Sequence, residues 1–281
     1  MAYVTFKAEG RISYGVATQD GVFDLGRRIG SVLPDLKSFL AAKGLGPLNG
    51  VPEAKSTDYK TAEFTYLPVI PNPAKILCVG LNYNEHRMET GRPESAYPAI
   101  FTRFSDTLVG HQEPITLPPN SSDLDYEGEL AVVIGKACFR VEEKDALDFV
   151  GGYSVFNDAT VRDWQRHTHQ FTPGKNFPGT GAFGPALIMP EEAGALEDKA
   201  IETRLNGKLM QSAKLGDMIF SVAKVIAYLS GFTRLAPGDL IATGTPGGVG
   251  FKRNPQVWMK QGDRVDVTVE GIGTLANSIA S

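Results

Sequence analysis

Short runs rich in β-branched and aromatic residues, each closed by glycine or proline, recur along almost the whole chain. Helical periodicity surfaces in only a few places. With 31 glycines and 18 prolines in 281 residues, a strand can run only as far as the next turn signal. That pattern predicts an α+β protein that is mainly β; the regular strand–helix–strand rhythm of a parallel α/β fold is missing. Residues 2–25 alternate as three short strands do, around Tyr3, Ile12 and Gly21. A helix is expected to open near Pro34 and to turn Leu36, Phe39 and Leu40 inward. The stretch from Pro68 to Pro73 can continue neither a helix nor a central strand. It marks the expected boundary between a small N-terminal α+β domain, residues 1–70, and the main body, residues 71–281. In the body, strands are expected at 75–80, 127–134, 152–157, 186–189, 200–205, 240–243 and 264–269. Helices are expected at 84–89, 159–166 and 219–229.

Composition narrows the class of function. Lys and Arg number 28 against 32 Asp and Glu, a formal charge of 28 − 32 = −4. No basic run is interleaved with aromatics, so nucleic acid is not an expected partner. No apolar run approaches the roughly 18 residues of a membrane span, and the start, Met1-Ala-Tyr-Val-Thr-Phe-Lys, lacks the apolar core of a secretory signal. Cys78 and Cys138 lie in apolar segments and read as reduced core residues. A cytoplasmic protein is expected.

Two glycine-rich segments imitate phosphate loops. Gly179-Thr-Gly-Ala-Phe-Gly184 matches a dinucleotide pattern, but no strand leads into it and Pro185 with an apolar run follows. Gly244-Thr-Pro-Gly-Gly-Val-Gly250 lacks the closing Gly-Lys-Ser/Thr of a P-loop. It reads either as a loop offering backbone N–H groups to an anion or as a tight turn between strands. His167 and His169, near Asp163, read as a solvated loop in preference to a metal cluster.

Three groupings can carry chemistry. Glu127 and Glu129 share one face of a strand that runs on into Leu130-Ala-Val-Val-Ile134. Paired carboxylates repel unless a cation lies between them or one stays protonated; the alternative is an exposed strand face. A third acid, Asp158, closes another strand-like run. Three oxygen ligands without a thiol suit a hard cation such as Mg²⁺ or Mn²⁺. His86 and Glu89, three apart in a short helix, form either a surface ion pair or a carboxylate-supported general base. The polar segment 90–95 after them could serve as a lid.

Taken in order, these residues resemble the fumarylacetoacetate hydrolase family, in the branch that holds acylpyruvate hydrolases, oxaloacetate decarboxylases and 2-hydroxy-dienedioate isomerases. The resemblance rests on Gly80-Leu-Asn-Tyr-x-x-His86-x-x-Glu89, Asp125-Tyr-Glu127-x-Glu129, Gly152-Tyr-x-x-x-Asn-Asp158-x-x-x-Arg162-Asp, Gly174-Lys175, Asn206-Gly207 with Gln211, and Thr243-Gly-Thr-Pro246-x-Gly-Val-Gly250. It spans about residues 75–281. It implies a mixed β-sandwich roll, usually a homodimer, with a small N-terminal accessory domain. It implies further that Glu127, Glu129 and Asp158 hold Mg²⁺ or Mn²⁺ and that His86 and Glu89 are the water-activating dyad on a lid. Lys175 would sit beside the metal and contact the substrate, with Tyr83, Arg162, Gln165 and Thr245 as substrate-binding or supporting residues. Two positions depart from the pattern: Leu81 stands where some acylpyruvases carry Arg, and Arg103 where many relatives carry Lys. The expected activity is metal-dependent hydrolysis of a C–C bond in a 2,4-diketo acid, giving pyruvate or another 2-keto acid plus a carboxylic acid. Decarboxylation of an oxaloacetate-type acid and isomerisation of a dienedioate are alternatives on the same site. A non-catalytic keto-acid binding protein is the alternative from another class.

Overall fold

The computed structural model describes all 281 residues. The strand Gly128–Ile134 is buried at every position, and its alternation serves two cores at once. Leu130, Val132 and Ile134 enter the larger cluster, while Ala131 and Val133 enter the second. Apolar residues of both parities are what a central strand covered on both faces requires. It pairs antiparallel with Val150–Asp158 on one side and with Leu240–Ala242 on the other. The sheet grows outward from there to twelve strands, ending at Tyr59–Lys60 on one edge and Ala99–Arg103 on the other. A five-stranded sheet (Lys208–Lys214, Ala200–Leu205, Arg264–Val269, Gly273–Ala280 and Ile115–Thr116 in spatial order) and the helix Val222–Phe232 pack over the larger core. The helix Leu36–Lys43 covers the second core with Leu36, Phe39 and Leu40, as the spacing predicts, and Asp35 caps it.

The first 70 residues do not stand apart as a layer. Ala2–Ala8 pairs antiparallel with Gly181–Ile188, so the large sheet passes through the expected boundary, and Val69 and Ile70 are buried in the second core. The seven body strands expected from sequence are all present, 200–205 and 264–269 with the expected ends and the other five with shifted ones. Two helices differ. The expected 159–166 helix is cut to Arg162–Gln165, because the chain stays extended through Thr160–Val161 to pair with Leu124–Asp125. The expected 219–229 helix begins at Val222, because Ile219 and Phe220 donate their N–H groups to the Asn82 carbonyl and side chain instead. Cys78 and Cys138 are free and buried. No helix is long and apolar enough to cross a membrane.

Candidate active site

Strand pairing assembles the acids. Gly128 sits opposite Asn157 in the register, so Asp158 falls opposite Glu127, whose carbonyl accepts from the Asp158 N–H at 2.8 Å. The Asn157 side chain accepts from the Glu127 N–H, 3.0 Å, fixing the residue that leads in. One carboxylate oxygen from each of Glu127, Glu129 and Asp158 lies within 4.8 Å of the others, all three buried. Gly128 between the two glutamates is required by space: a Cβ there would lie 2.1 Å from Thr203 Oγ1.

The neighbours of the triad divide the charge unevenly. Lys175 Nζ donates to Glu127 Oε2 and Asp158 Oδ2, both at 2.6 Å. Arg162 reaches Glu127 Oε1 at 2.6 Å and donates to Asp125 at 2.9 Å. Arg103 donates to Asp158 Oδ1 at 2.6 Å and to Thr180 at 2.7 Å. The glycine at 181 leaves room for that guanidinium, since a Cβ there would meet Arg103 Nε at 3.0 Å; the dinucleotide-like segment is thus a strand shaped around an arginine. Glu129 has no cationic partner and accepts only from the Gly244 N–H, 2.8 Å. Burial, then the neighbouring charges of Asp158 and Glu127, push its carboxyl far above the usual range. Burial would raise Glu127 too, but Lys175 and Arg162 outweigh it and hold Glu127 at about 2. Burial opposes the Lys175 ammonium, and Asp158 and Glu127 more than restore it. A buried, all-oxygen donor set with one carboxylate short of positive charge fits a hard divalent cation.

His86 and Glu89 do form a pair: His86 Nδ1 and Glu89 Oε1 are 2.8 Å apart on the helix Asn84–Thr90. The carboxylate accepts, so Nδ1 carries the proton and Nε2 is the free ring nitrogen of a side chain that lines the cavity. The helix ends at Gly91, whose left-handed backbone, φ 69°, closes it. Asn82, quoted in the sequence motif without a role, anchors its approach by donating to Phe220 and Thr243 carbonyls at 3.0 and 2.7 Å.

The glycine-rich loop turns out to be an anion-holding loop whose anions belong to the protein. Gly244 N–H serves Glu129, Gly248 N–H serves Glu89 at 3.0 Å, and Gly250 and Phe251 N–H groups serve Asp125 at 2.8 and 3.1 Å. Thr245 donates to the Gly128 carbonyl and accepts from Gln211.

A cavity of about 510 Å³ opens onto these groups. His86, Glu127, Glu129, Arg162, Gln165, Lys175 and Thr245 line it; Asp158 closes the triad from behind Lys175. Gln165 accepts from Arg162 at 3.0 Å. Tyr83 is buried and outside the cavity lining, bridged to Met218 through its extended backbone, and its hydroxyl has no hydrogen-bond partner. The charge at the mouth was not anticipated. Arg92, Arg166, His167, His169 and Lys252 line it, and the only acids on the wall are Glu127 and Glu129. The two histidines lie in the exposed polar loop the sequence suggests, but that loop faces the site. Asp163 is elsewhere engaged, accepting from Ser121.

A family model described as the C-terminal region of fumarylacetoacetate (FAA) hydrolase matches residues 75–280. The oxaloacetate tautomerase YisK of Bacillus subtilis is 42% identical over 233 residues, covering 81% of this chain and 77% of its own. The mitochondrial oxaloacetate tautomerase FAHD2B of Bos taurus is 38% identical over 264 residues, covering 92% and 84%. Among solved structures, the fumarylacetoacetate hydrolase EaFAH of Exiguobacterium antarcticum superposes with a TM-score of 0.88 at 33% identity, covering 100% of this chain and 99% of that one.

Proposed function

The chain belongs to the fumarylacetoacetate hydrolase family, and from that premise we propose that it interconverts the keto and enol forms of a dianionic 2-keto acid of the oxaloacetate type, with Mg²⁺ or Mn²⁺. One observation carries the reading: a proton-transfer dyad and a cation-seeking carboxylate triad share a cavity whose mouth is positively charged. The tautomerase names of YisK and FAHD2B support the choice of acid.

A divalent cation held by Glu127, Glu129 and Asp158 would supply Lewis acidity at the 2-keto end and so acidify the protons on C3. His86, its tautomer fixed by Glu89, takes a C3 proton at Nε2. The C–H electron pair becomes the C2–C3 double bond, the C2–O π pair moves onto oxygen, and the proton taken by His86 is returned to that oxygen, directly or through water. No carbon–carbon bond breaks and nothing leaves. The Lys175 ammonium lies where negative charge gathers on that oxygen. Arg92, Arg166 and Lys252 at the mouth attract the second carboxylate and orient it away from the acids.

The expected hydrolysis of a 2,4-diketo acid stays as a second reading, favoured by the same His86–Glu89 pair, which can activate water as well as accept a carbon-bound proton. The two separate in one assay. Freshly dissolved enol-oxaloacetate is followed by ultraviolet absorbance with Mg²⁺, with and without EDTA, while pyruvate is measured in parallel. Tautomerisation predicts accelerated enol loss without pyruvate. Pyruvate released in step with enol loss would move the reading to decarboxylation. Cleavage of acetylpyruvate with oxaloacetate untouched would move it to hydrolysis.

A further inference from the structure

Beyond the dyad itself, a second layer holds it, and it reaches the dyad through one residue, Gly248, whose N–H and carbonyl belong to the two peptide units flanking its Cα. Glu89 uses Oε1 for His86 and Oε2 to accept from the Gly248 N–H. The Gly248 carbonyl is in turn fixed from the other side. Tyr126, fully buried between Asp125 and Glu127, donates its hydroxyl to that oxygen at 3.0 Å. Arg253 Nε donates both to the same oxygen and to the Tyr126 hydroxyl, 3.1 Å each, and its Nη2 donates to the Met210 carbonyl on the small sheet. Gly248 has a left-handed backbone, φ 97°, and a Cβ there would lie 2.3 Å from the Met210 oxygen, so only glycine fits this close approach. The dyad helix lies directly on this loop: a Cβ on Gly247 would be 2.9 Å from the Glu85 Cβ. The helix is only seven residues long, too short to hold its own shape in water.

We propose that Tyr126 and Arg253 are positioning residues for the proton-transfer dyad, acting through the backbone of Gly248 to dock the helix Asn84–Thr90 and aim His86 into the cavity. Neither side chain is among the residues that line the cavity, so neither touches substrate. The inference rests on the dyad reading above for its catalytic consequence, and on geometry alone for the docking.

The test uses the full chain loaded with Mg²⁺ and compares Tyr126→Phe, Arg253→Leu and Arg253→Lys with wild type. Hydrogen exchange of residues 84–91 reports docking whatever the reaction is. Calorimetric Mg²⁺ binding reports whether the acid triad is intact. Loss of one such hydrogen bond corresponds to about a fivefold change in an opening equilibrium, so Tyr126→Phe should speed exchange of 84–91 about fivefold and Arg253→Leu more. Mg²⁺ affinity should stay within about twofold, kcat should fall as His86 is aimed less well, and KM should hold. Arg253→Lys, which keeps a donor, should recover part of both losses. Unchanged protection of 84–91 in Tyr126→Phe and Arg253→Leu would overturn the proposal, and so would Mg²⁺ affinity falling in parallel with protection. If wild type fails to tautomerise oxaloacetate, the exchange data still decide the docking, and the functional reading fails separately.

Discussion

Replacing Lys175 by methionine removes a cation on which the acid cluster depends. Its Nζ lies 2.6 Å from both Glu127 and Asp158, and the residue is 1% exposed. With all four ionised, the buried carboxyls of Asp125, Glu127, Glu129 and Asp158 face three buried cations (Arg103, Arg162, Lys175), an excess of 4 − 3 = 1 negative charge. Without Lys175 the excess is 4 − 2 = 2. Methionine keeps the length of the stem, so most of the loss is electrostatic. Removing one partner from a buried ion pair costs about 3–5 kcal/mol, on the order of 10 °C in Tm for a chain of this size. The assay is urea and thermal unfolding in EDTA and in Mg²⁺. A divalent cation restores positive charge to the same oxygens and no longer competes with the ammonium. Mg²⁺ should therefore stabilise the variant more than wild type; saturation to about 100 times Kd adds about 2.7 kcal/mol. A metal-free variant within about 1 kcal/mol of wild type, or equal stabilisation of both by Mg²⁺, would refute the reasoning.

Other perturbations separate the parts. Glu129→Gln should abolish calorimetric Mg²⁺ binding yet leave the metal-free protein at least as stable near neutral pH, because burial holds the Glu129 pKa above its unfolded value and its charged form costs stability there; a strongly destabilised variant would contradict this. Gly128→Ala should lose stability by about 1–3 kcal/mol and Mg²⁺ affinity with it, since its Cβ meets Thr203 and Val267 at 2.1 and 2.9 Å; unfolding and calorimetry on one sample check both. His111, lowered by burial from 6.5 to about 4, accepts from the Ala276 N–H through Nδ1. Its contribution is complete above its unfolded pKa and is lost as pH falls towards 4, amounting to about 1–2 kcal/mol once its partial exposure is allowed for. Urea midpoints at about pH 7.5 and about pH 5 should differ less in His111→Gln than in wild type; the same drop in both would assign the loss to other groups.

The central strand and the carboxylate pair on it were legible because they depend on neighbours in the chain: parity puts Glu127 and Glu129 on one face, and the apolar run after them demands burial. The expected short helix at 84–89 and its His86–Glu89 contact were legible for the same reason. What the glycine-rich loop does was not, because its N–H groups are matched to acids far away in sequence, Glu89 and Gly248 being 159 positions apart. Neither reading open for that loop, a cradle for an anionic ligand or a tight turn between strands, named this use, in which the N–H groups hold the protein's own carboxylates. His167 and His169 read as a solvated loop because polarity reports exposure but not what the exposed surface faces. The continuity of the large sheet through residue 70 was hidden for a related reason. Prolines interrupt the chain there, but the sheet is joined through Ala2–Ala8 and Gly181–Ile188.

The most direct test of the proposed chemistry is the initial rate of C3 hydrogen exchange in oxaloacetate, followed by NMR in D₂O with Mg²⁺, for wild type and His86→Gln. Proton transfer by His86 predicts exchange well above the buffer-and-metal rate in wild type, without pyruvate accumulating, and a loss of roughly 10²-fold or more in the variant. Exchange no faster than buffer and metal alone, or equal in the two proteins, would contradict it.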